Sequence, residues 1–321
     1  PDWMRLPLTG YPDFSIWQPF LDEIVSHPAP DDFRAAHAFS RSIEAPGFLA
    51  TTWYDIFQTS MIRAFKEIQA QNGNQRLWIG PNNHYFIYDA NFWPTDPYFE
   101  WFDHWLKGVE NGVMDGAPVR YAPQAWTDDP ACYVAKDWHS ADQWPPQNTN
   151  SLRLYLHGGG TLDADGPGGD ARSYVYDPHN PVPTLGGRNM LIDAGPRDQR
   201  PVQALPHYGL TYRGALLSED LTIAGPVRLT LQASSDCPDT DFVAKLIEVH
   251  PDGRTMLLMD GVVRALYRNG KQEPLLPGET TAFEIDLAHI HHTVCAGHSL
   301  QIDITSSNFP RRARNTNSGN S

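Results

Sequence analysis

Basic side chains are scarce in this sequence: 24 Lys and Arg stand against 38 Asp and Glu, a formal net charge of −14. So acidic a surface repels phosphate backbones, and no basic stripe interrupts it, which excludes nucleic acid as a partner. Long apolar runs are missing as well; none approaches the ~20 residues a membrane-spanning helix needs, so no membrane contact is expected. Cysteine is almost absent. Cys132, Cys237 and Cys295 lie far apart and form no Cys-x-x-Cys pair, which suggests neither a zinc ribbon nor a disulfide framework and leaves them as small buried fillers. The opening PDWMRLPLTGYPDF lacks an initiating Met and the basic start and apolar core of a signal peptide, so the natural N-terminus is expected elsewhere.

What is present divides in two. At 321 residues the chain exceeds the ~250 at which a single core stops growing, so two domains are expected. Up to about Gly116 helical and strand patterns alternate. Met61 to Gln71 sets Ile62, Phe65 and Ile68 at helical spacing before an Asn72-Gly73 stop, and Arg76 to Ile79 then reads as a short buried strand. Pro97 to Gly108 reads as a second helix with Phe99, Phe102, Trp105 and Leu106 on its apolar stripe. From residue 117 to 321 the pattern is strands and turns: 152–156, 227–233, 242–249, 255–263, 283–287 and 299–305 alternate, each bounded by Gly, Pro, Asp or Asn. Short strands with one buried face and frequent turns argue for an antiparallel sandwich or jelly roll. The fold class is therefore α/β followed by all-β.

The chemistry gathers in the first part. Ala45 to Phe57 is an apolar run that ends at Asp55, as a buried strand does when it presents an acid at its C-terminal edge, where open α/β sheets carry their functional groups. One helix and one strand later, Gly80-Pro81-Asn82-Asn83-His84 places a histidine on the same edge, 29 residues on. A carboxylate there fixes the imidazole tautomer and stabilises its protonated form, and the imidazole serves as a base for a hydroxyl. An Asp after a strand is as often a helix N-cap, and a loop histidine is more often a packing residue, so the residues alone leave both readings open. In hydrolases built on such sheets the order is Ser, Asp, His, with the Ser in Gly-x-Ser-x-Gly. That pentapeptide is absent.

Trp53-Tyr54-Asp55-Ile56-Phe57 resembles the acid motif, and Gly80-Pro81-Asn82-Asn83-His84 the base motif, of the serine hydrolase family that includes cocaine esterase, α-amino-acid ester hydrolases, glutaryl-cephalosporin acylases and X-Pro dipeptidyl-peptidases. Residues 101–108 are similar to the closing helix of that family's catalytic domain; 181–201, 239–254 and 306–319 resemble signatures of its jelly-roll domain. The resemblance implies the C-terminal part of an α/β-hydrolase domain over 1–116 and a jelly-roll β-sandwich over 117–321. It implies Asp55 and His84 as triad acid and base, and an ester, amide or peptide as substrate. No cofactor or metal is implied, and a homo-oligomer is compatible with it. Trp53, Tyr54 and Phe57 would line the acyl pocket, although aromatics beside a strand end are often plain core. Two positions depart from the pattern: Thr52 replaces a Gly and Asn82 an aromatic residue. The family's nucleophilic serine and oxyanion tyrosine lie upstream of the matched region, so a fragment inactive by itself, or a pseudoenzyme, is expected.

Rival features carry less. His289, His291, His292, Cys295 and His298 resemble a metal set, but strand alternation splits them between two faces and no carboxylate or Cys-x-x-Cys accompanies them. Asp163, Asp165 and Asp170 fail calcium-loop spacing, and His157-Gly158-Gly159-Gly160 reads as a turn. A non-catalytic sandwich binding sugars through Trp126, Trp138 and Trp144 is the main non-enzyme alternative; His104 beside Asp103 is a weaker candidate base.

Overall fold

A computed structural model describes residues 4–10, 16–37, 43–84, 96–124, 137–190 and 192–319. Two short helices, α1 (Gln18–Ser26) and α2 (Asp32–Ala36), precede a sheet begun by β1 (Gly47–Tyr54) and β2 (Gln75–Asn83). These pair in parallel, which requires a crossover, and α3 (Gln58–Asn72) supplies it. Ile62, Phe65 and Ile68 are its buried apolar positions, and Gly73 closes it at φ 68°, a left-handed conformation that an L side chain resists.

The first sheet does not stop at Gly116. β3 (Val119–Tyr121) adds in parallel to β2, and β4 (His139–Ala141) pairs antiparallel with β3. Val119 is fully buried and Tyr121 nearly so; strand-forming residues that find a buried edge extend it whatever the local turn content.

α4 (Pro97–Lys107) is capped by Asp96, whose carboxylate accepts the Tyr98 and Phe99 N–H groups, and ends at Gly108 in the left-handed region. Its orientation corrects the expected stripe: Phe99 and Leu106 are 72% and 77% exposed, Phe102 and Trp105 are also exposed, and Pro97 and Trp101 are the buried positions. The ring of Phe48 decides this, meeting Tyr98 at 5.5 Å and Trp101 at 6.0 Å between ring centroids.

The remaining strands form two groups. β5 (Tyr155–Leu156), β6 (Thr161–Asp163), β7 (Leu210–Gly214), β9 (Asp241–Val249), β10 (Thr255–Arg264) and β12 (Ser299–Thr305) make a six-stranded sheet in the order β10-β9-β12-β7-β6-β5, with the short helix α5 (Arg200–Gln203) before β7. β8 (Leu221–Ala233) and β11 (Thr281–Val294) form a long antiparallel pair. Within the six-stranded sheet only β6–β7 is parallel. The groups meet face to face, with Phe242 of β9 and Phe283 of β11 at 4.7 Å between ring centroids. The expectation of one buried face fails for β9 and β12, buried at every position. The reason is the 182–208 segment: Gln199 donates its backbone N–H to Thr255 O and accepts from the Lys245 ammonium at 3.0 Å, and Leu257 N donates to Arg197 O.

His157 to Gly160 is the turn between β5 and β6, with Gly160 at φ 82°. Asp163 takes the His157 ring at 2.8 Å and the Asp165 N–H at 3.1 Å. Cys295 is exposed and Cys237 half-buried, so these two are not the fillers expected; Cys132 lies outside the described residues. Among the described residues no helix is long and apolar enough to cross a membrane.

Candidate active site

Parallel strands advance together, so residues that follow paired positions land side by side. Thr52 pairs with Gly80, but the next pair is Tyr54 with Asn83: β2 spends three residues where β1 spends two. Pro81, which has no N–H to give a ladder, sits in that irregularity. Without the extra residue Asp55 would face Asn83. With it, Asp55 faces His84.

Asp55 is 1% and His84 8% exposed, and the His84 Nδ1–H donates to Asp55 Oδ1 at 2.8 Å. The same Oδ1 accepts the Phe57 N–H at 3.0 Å, and Oδ2 accepts the Thr51 hydroxyl at 3.0 Å. The N-cap reading fails, since Phe57 is the N-cap of α3 and no side chain caps it; Asp55 instead braces the turn ahead of the helix and holds an imidazole. Thr51 lies four residues back, a positioning residue that sequence reasoning missed; its signal was a hydroxyl on the same face two strand repeats earlier. With Nδ1 committed to a carboxylate, Nε2 is the atom through which the ring would exchange a proton.

Of the three expected pocket residues, Phe57 stands at the site, its half-exposed ring edge-on to His84 at 5.5 Å. Trp53 and Tyr54 are fully buried. The indole N–H of Trp53 donates to Ala122 O at 2.8 Å, and its ring packs on Trp144 at 5.3 Å. Tyr54 donates its hydroxyl to Leu257 O at 2.7 Å, and burial holds that hydroxyl protonated well above its ordinary range. Thr52 is fully buried too.

The site is sewn to the second group of strands. Gln58, one turn after Asp55, donates to His289 O and accepts the His289 N–H, and Arg188 spans from Thr59 Oγ1 to Asp260 O. His289 accepts the Trp144 indole N–H at 3.0 Å. Burial, with nearby Lys66 adding to it, pushes that imidazole down to about 4 from 6.5. The unfolded ring therefore takes up a proton first, and the stability present above 6.5 is lost as pH falls toward 4. Asp241, pushed up to about 6 by burial, acts in the opposite sense over the same range, so the readout is a difference between variants. His289→Asn offers Trp144 an acceptor that cannot be protonated; between pH 7 and 4.5 it should lose on the order of 2 kcal/mol less stability than the wild type, measured by urea midpoints. Equal losses would mean that His289 is not held neutral.

The other candidates have separate duties. His104 directs Nδ1 to Val109 O while Asp103 pairs with Lys107. Trp144 is buried and Trp138 packs on Trp78 at 5.7 Å, so neither forms an open sugar platform; Trp126 lies outside the described residues. A looser Gly-x-Ser occurs twice. Ser299 in Gly297-His298-Ser299 is fully buried and accepts from Arg213, and Ser321 in Gly319-Asn320-Ser321 lies outside the described residues.

Comparison with known proteins bears on the family and the fold. The sequence profile of the X-Pro dipeptidyl-peptidase (S15 family) matches residues 7–86, and that of the X-Pro dipeptidyl-peptidase C-terminal non-catalytic domain matches residues 111–321. The chain is similar to cocaine esterase of Rhodococcus sp. (strain MB1 Bresler), 32% identical over 93% of this chain and 55% of that protein. In fold it is similar to an aminopeptidase from a marine sediment Thaumarchaeota archaeon, with TM-score 0.79 and 23% identity over 94% of this chain and 55% of the other. An α-amino acid ester hydrolase gives TM-score 0.75 and 24% identity over 95% of this chain and 56% of the other. The chain spans about half the length of the curated relatives it matches. With one profile over the site and the other over the strands behind it, in order along the sequence, the chain belongs to the cocaine esterase and X-Pro dipeptidyl-peptidase family of hydrolases.

Proposed function

We propose that this chain supplies the acid and base of a Ser-His-Asp triad that hydrolyses an ester or amide through an acyl-enzyme. The serine comes from outside these 321 residues. The observation that carries the reading is the 2.8 Å contact between Asp55 Oδ1 and His84 Nδ1 at matched ends of two parallel strands. His84 takes the serine proton as the hydroxyl attacks the acyl carbon, gives it to the leaving group, and then activates the water that frees the acid. Asp55 holds the ring in the right tautomer and stabilises its cation. Phe57, exposed beside His84, contacts the acyl group, while Trp53 and Tyr54 fix the strand end from behind. The 117–321 portion is read as a jelly-roll sandwich, and Arg188 brings its 185–200 loop to the site's rim.

A fluorophosphonate probe tests this. The 321-residue chain should not be labelled and should not turn over a p-nitrophenyl ester, whereas the protein encoded together with its upstream sequence should be labelled at one serine within Gly-x-Ser-x-Gly. Stoichiometric labelling of a serine within the 321 residues would overturn the external nucleophile. Lack of any such upstream serine would make the protein a pseudoenzyme.

A further inference from the structure

The histidines of the β11 strand do not stay together. His289 faces Trp144 and Gln58, and His291 packs against Tyr121 and His139 at 4.9 and 5.1 Å between centroids. His292 turns to the opposite face, where β9 supplies the carboxylate that the local sequence lacks. Glu248, 2% exposed at its side chain, accepts from His292 Nε2 at 2.8 Å through Oε2 and from His298 Nδ1 at 2.7 Å through Oε1. His250 Nε2 approaches Oε2 at 3.7 Å, and the rings of His250 and His298 lie 4.5 Å apart. Pairing of Val249 with Ser299 explains the convergence, since it brings the end of β9 and the entry of β12 level.

We propose that Glu248, His250 and His298 form a binding site for one divalent transition-metal ion of borderline softness, zinc foremost, that ties the β9–β10 turn to the start of β12. One carboxylate oxygen and two imidazole nitrogens from these residues lie within 4.8 Å of one another. Ligand atoms around tetrahedral zinc sit roughly 3.3 Å apart, so shifts of about 1.5 Å or less would bring these atoms to ligand spacing. A carboxylate is only an acceptor, so His298 Nδ1 carries a proton where it meets Oε1; the ion takes that proton's place and the proton leaves to solvent. His292 keeps its bond to Oε2 and orients the carboxylate, as residues behind metal ligands do. His250 and His298 are 12% and 17% exposed at their side chains, which gives the ion and a completing water a way in. Arg254, the nearest cation of the turn, is paired with Asp252 at 2.7 Å. Imidazole and carboxylate donors in this ratio suit zinc, and they suit calcium or magnesium poorly.

The test uses the 321-residue chain stripped with chelator and titrated with Zn2+ against a chromogenic competitor. One equivalent should bind with micromolar or tighter affinity. His250→Ala and His298→Ala, both at half-buried sites, should each weaken it by at least about tenfold, and His292→Gln by roughly 10–100-fold. X-ray absorption of the zinc-loaded wild type should show two imidazoles with the balance oxygen, a readout independent of any variant's folding. Failure to bind below millimolar Zn2+, an absorption spectrum with another ligand set, or binding that both alanine variants leave unchanged would overturn the proposal and leave the cluster a hydrogen-bonded hub.

Discussion

In the protein that carries the nucleophile, Asp55→Asn should lower kcat about 10⁴-fold while leaving the fold and the substrate KM nearly unchanged. The structure says why the geometry survives. Oδ1 of Asp55 accepts from Phe57 N–H and His84 Nδ1–H, and Oδ2 meets only the Thr51 hydroxyl. An Asn can keep its carbonyl oxygen at the first position and turn its NH2 toward Thr51, whose oxygen accepts as readily as it donates. Shape persists, but the charge that stabilises the imidazolium is gone, and an amide that turns its NH2 toward His84 selects the wrong imidazole tautomer. His84→Ala should be as severe, because it removes the proton carrier itself. Thr51→Val should cost far less, and in kcat rather than KM, since it only loosens the carboxylate. Rates from a p-nitrophenyl ester series check all three; a fall of less than about tenfold for Asp55→Asn would remove the pair from the chemistry.

Arg311→Met should destabilise the chain by about 3–5 kcal/mol, the largest loss expected from any single contact described above. Asp260 on β10 is 3% and Arg311 10% exposed at the side chain, and their charged groups touch. Asn308 donates to the same carboxylate at 2.9 Å, and Arg188 Nη2 donates to the Asp260 carbonyl. Burial pushes the Asp260 carboxyl up, but Arg311, Arg188, Lys245 and Arg312 together outweigh it and hold it below the ordinary 3.8. A carboxyl so depressed contributes stability above its unfolded value and loses it as pH falls through the folded one. Removing Arg311 takes away the cation in contact with this buried carboxylate, beside Gly187 at φ 84°, where a Cβ would sit tightly at 3.3 Å from both Asp260 Oδ1 and Arg311 Nη1. The double variant Asp260→Asn/Arg311→Met should recover only part of the loss: it removes the mismatch between the touching pair, but Arg188, Lys245 and Arg312 lose the carboxylate they share. Denaturant midpoints decide it. A single variant within about 1 kcal/mol of the wild type would mean that the pair is dispensable.

How far each feature could be read in advance follows its range along the chain. Asp55 and His84 were legible because one strand-helix-strand unit connects them, and parallel pairing converts that local pattern into proximity. The irregularity around Pro81 that brings them level was visible only as a proline in a strand. The α4 stripe was misjudged because four apolar residues at helical spacing name a face without saying which surface waits for it; Phe48, far earlier in the chain, chose Trp101. β9 read as half-exposed because alternation presumes one solvent face, and the 182–208 segment removes it.

Charged groups show the same division more sharply. In the sequence Glu248 is a strand residue and His298 a loop residue 50 positions later; only the β9–β12 register makes them neighbours. By itself the sequence determined the main element types, the placing of Asp55 and His84 on one sheet edge, and the family, since short-range periodicity and contiguous motifs encode these. Tertiary structure alone decided which aromatics are core, which carboxylate meets which imidazole, and how the site is braced by the strands behind it. Those depend on contacts between segments whose separation leaves no periodic trace.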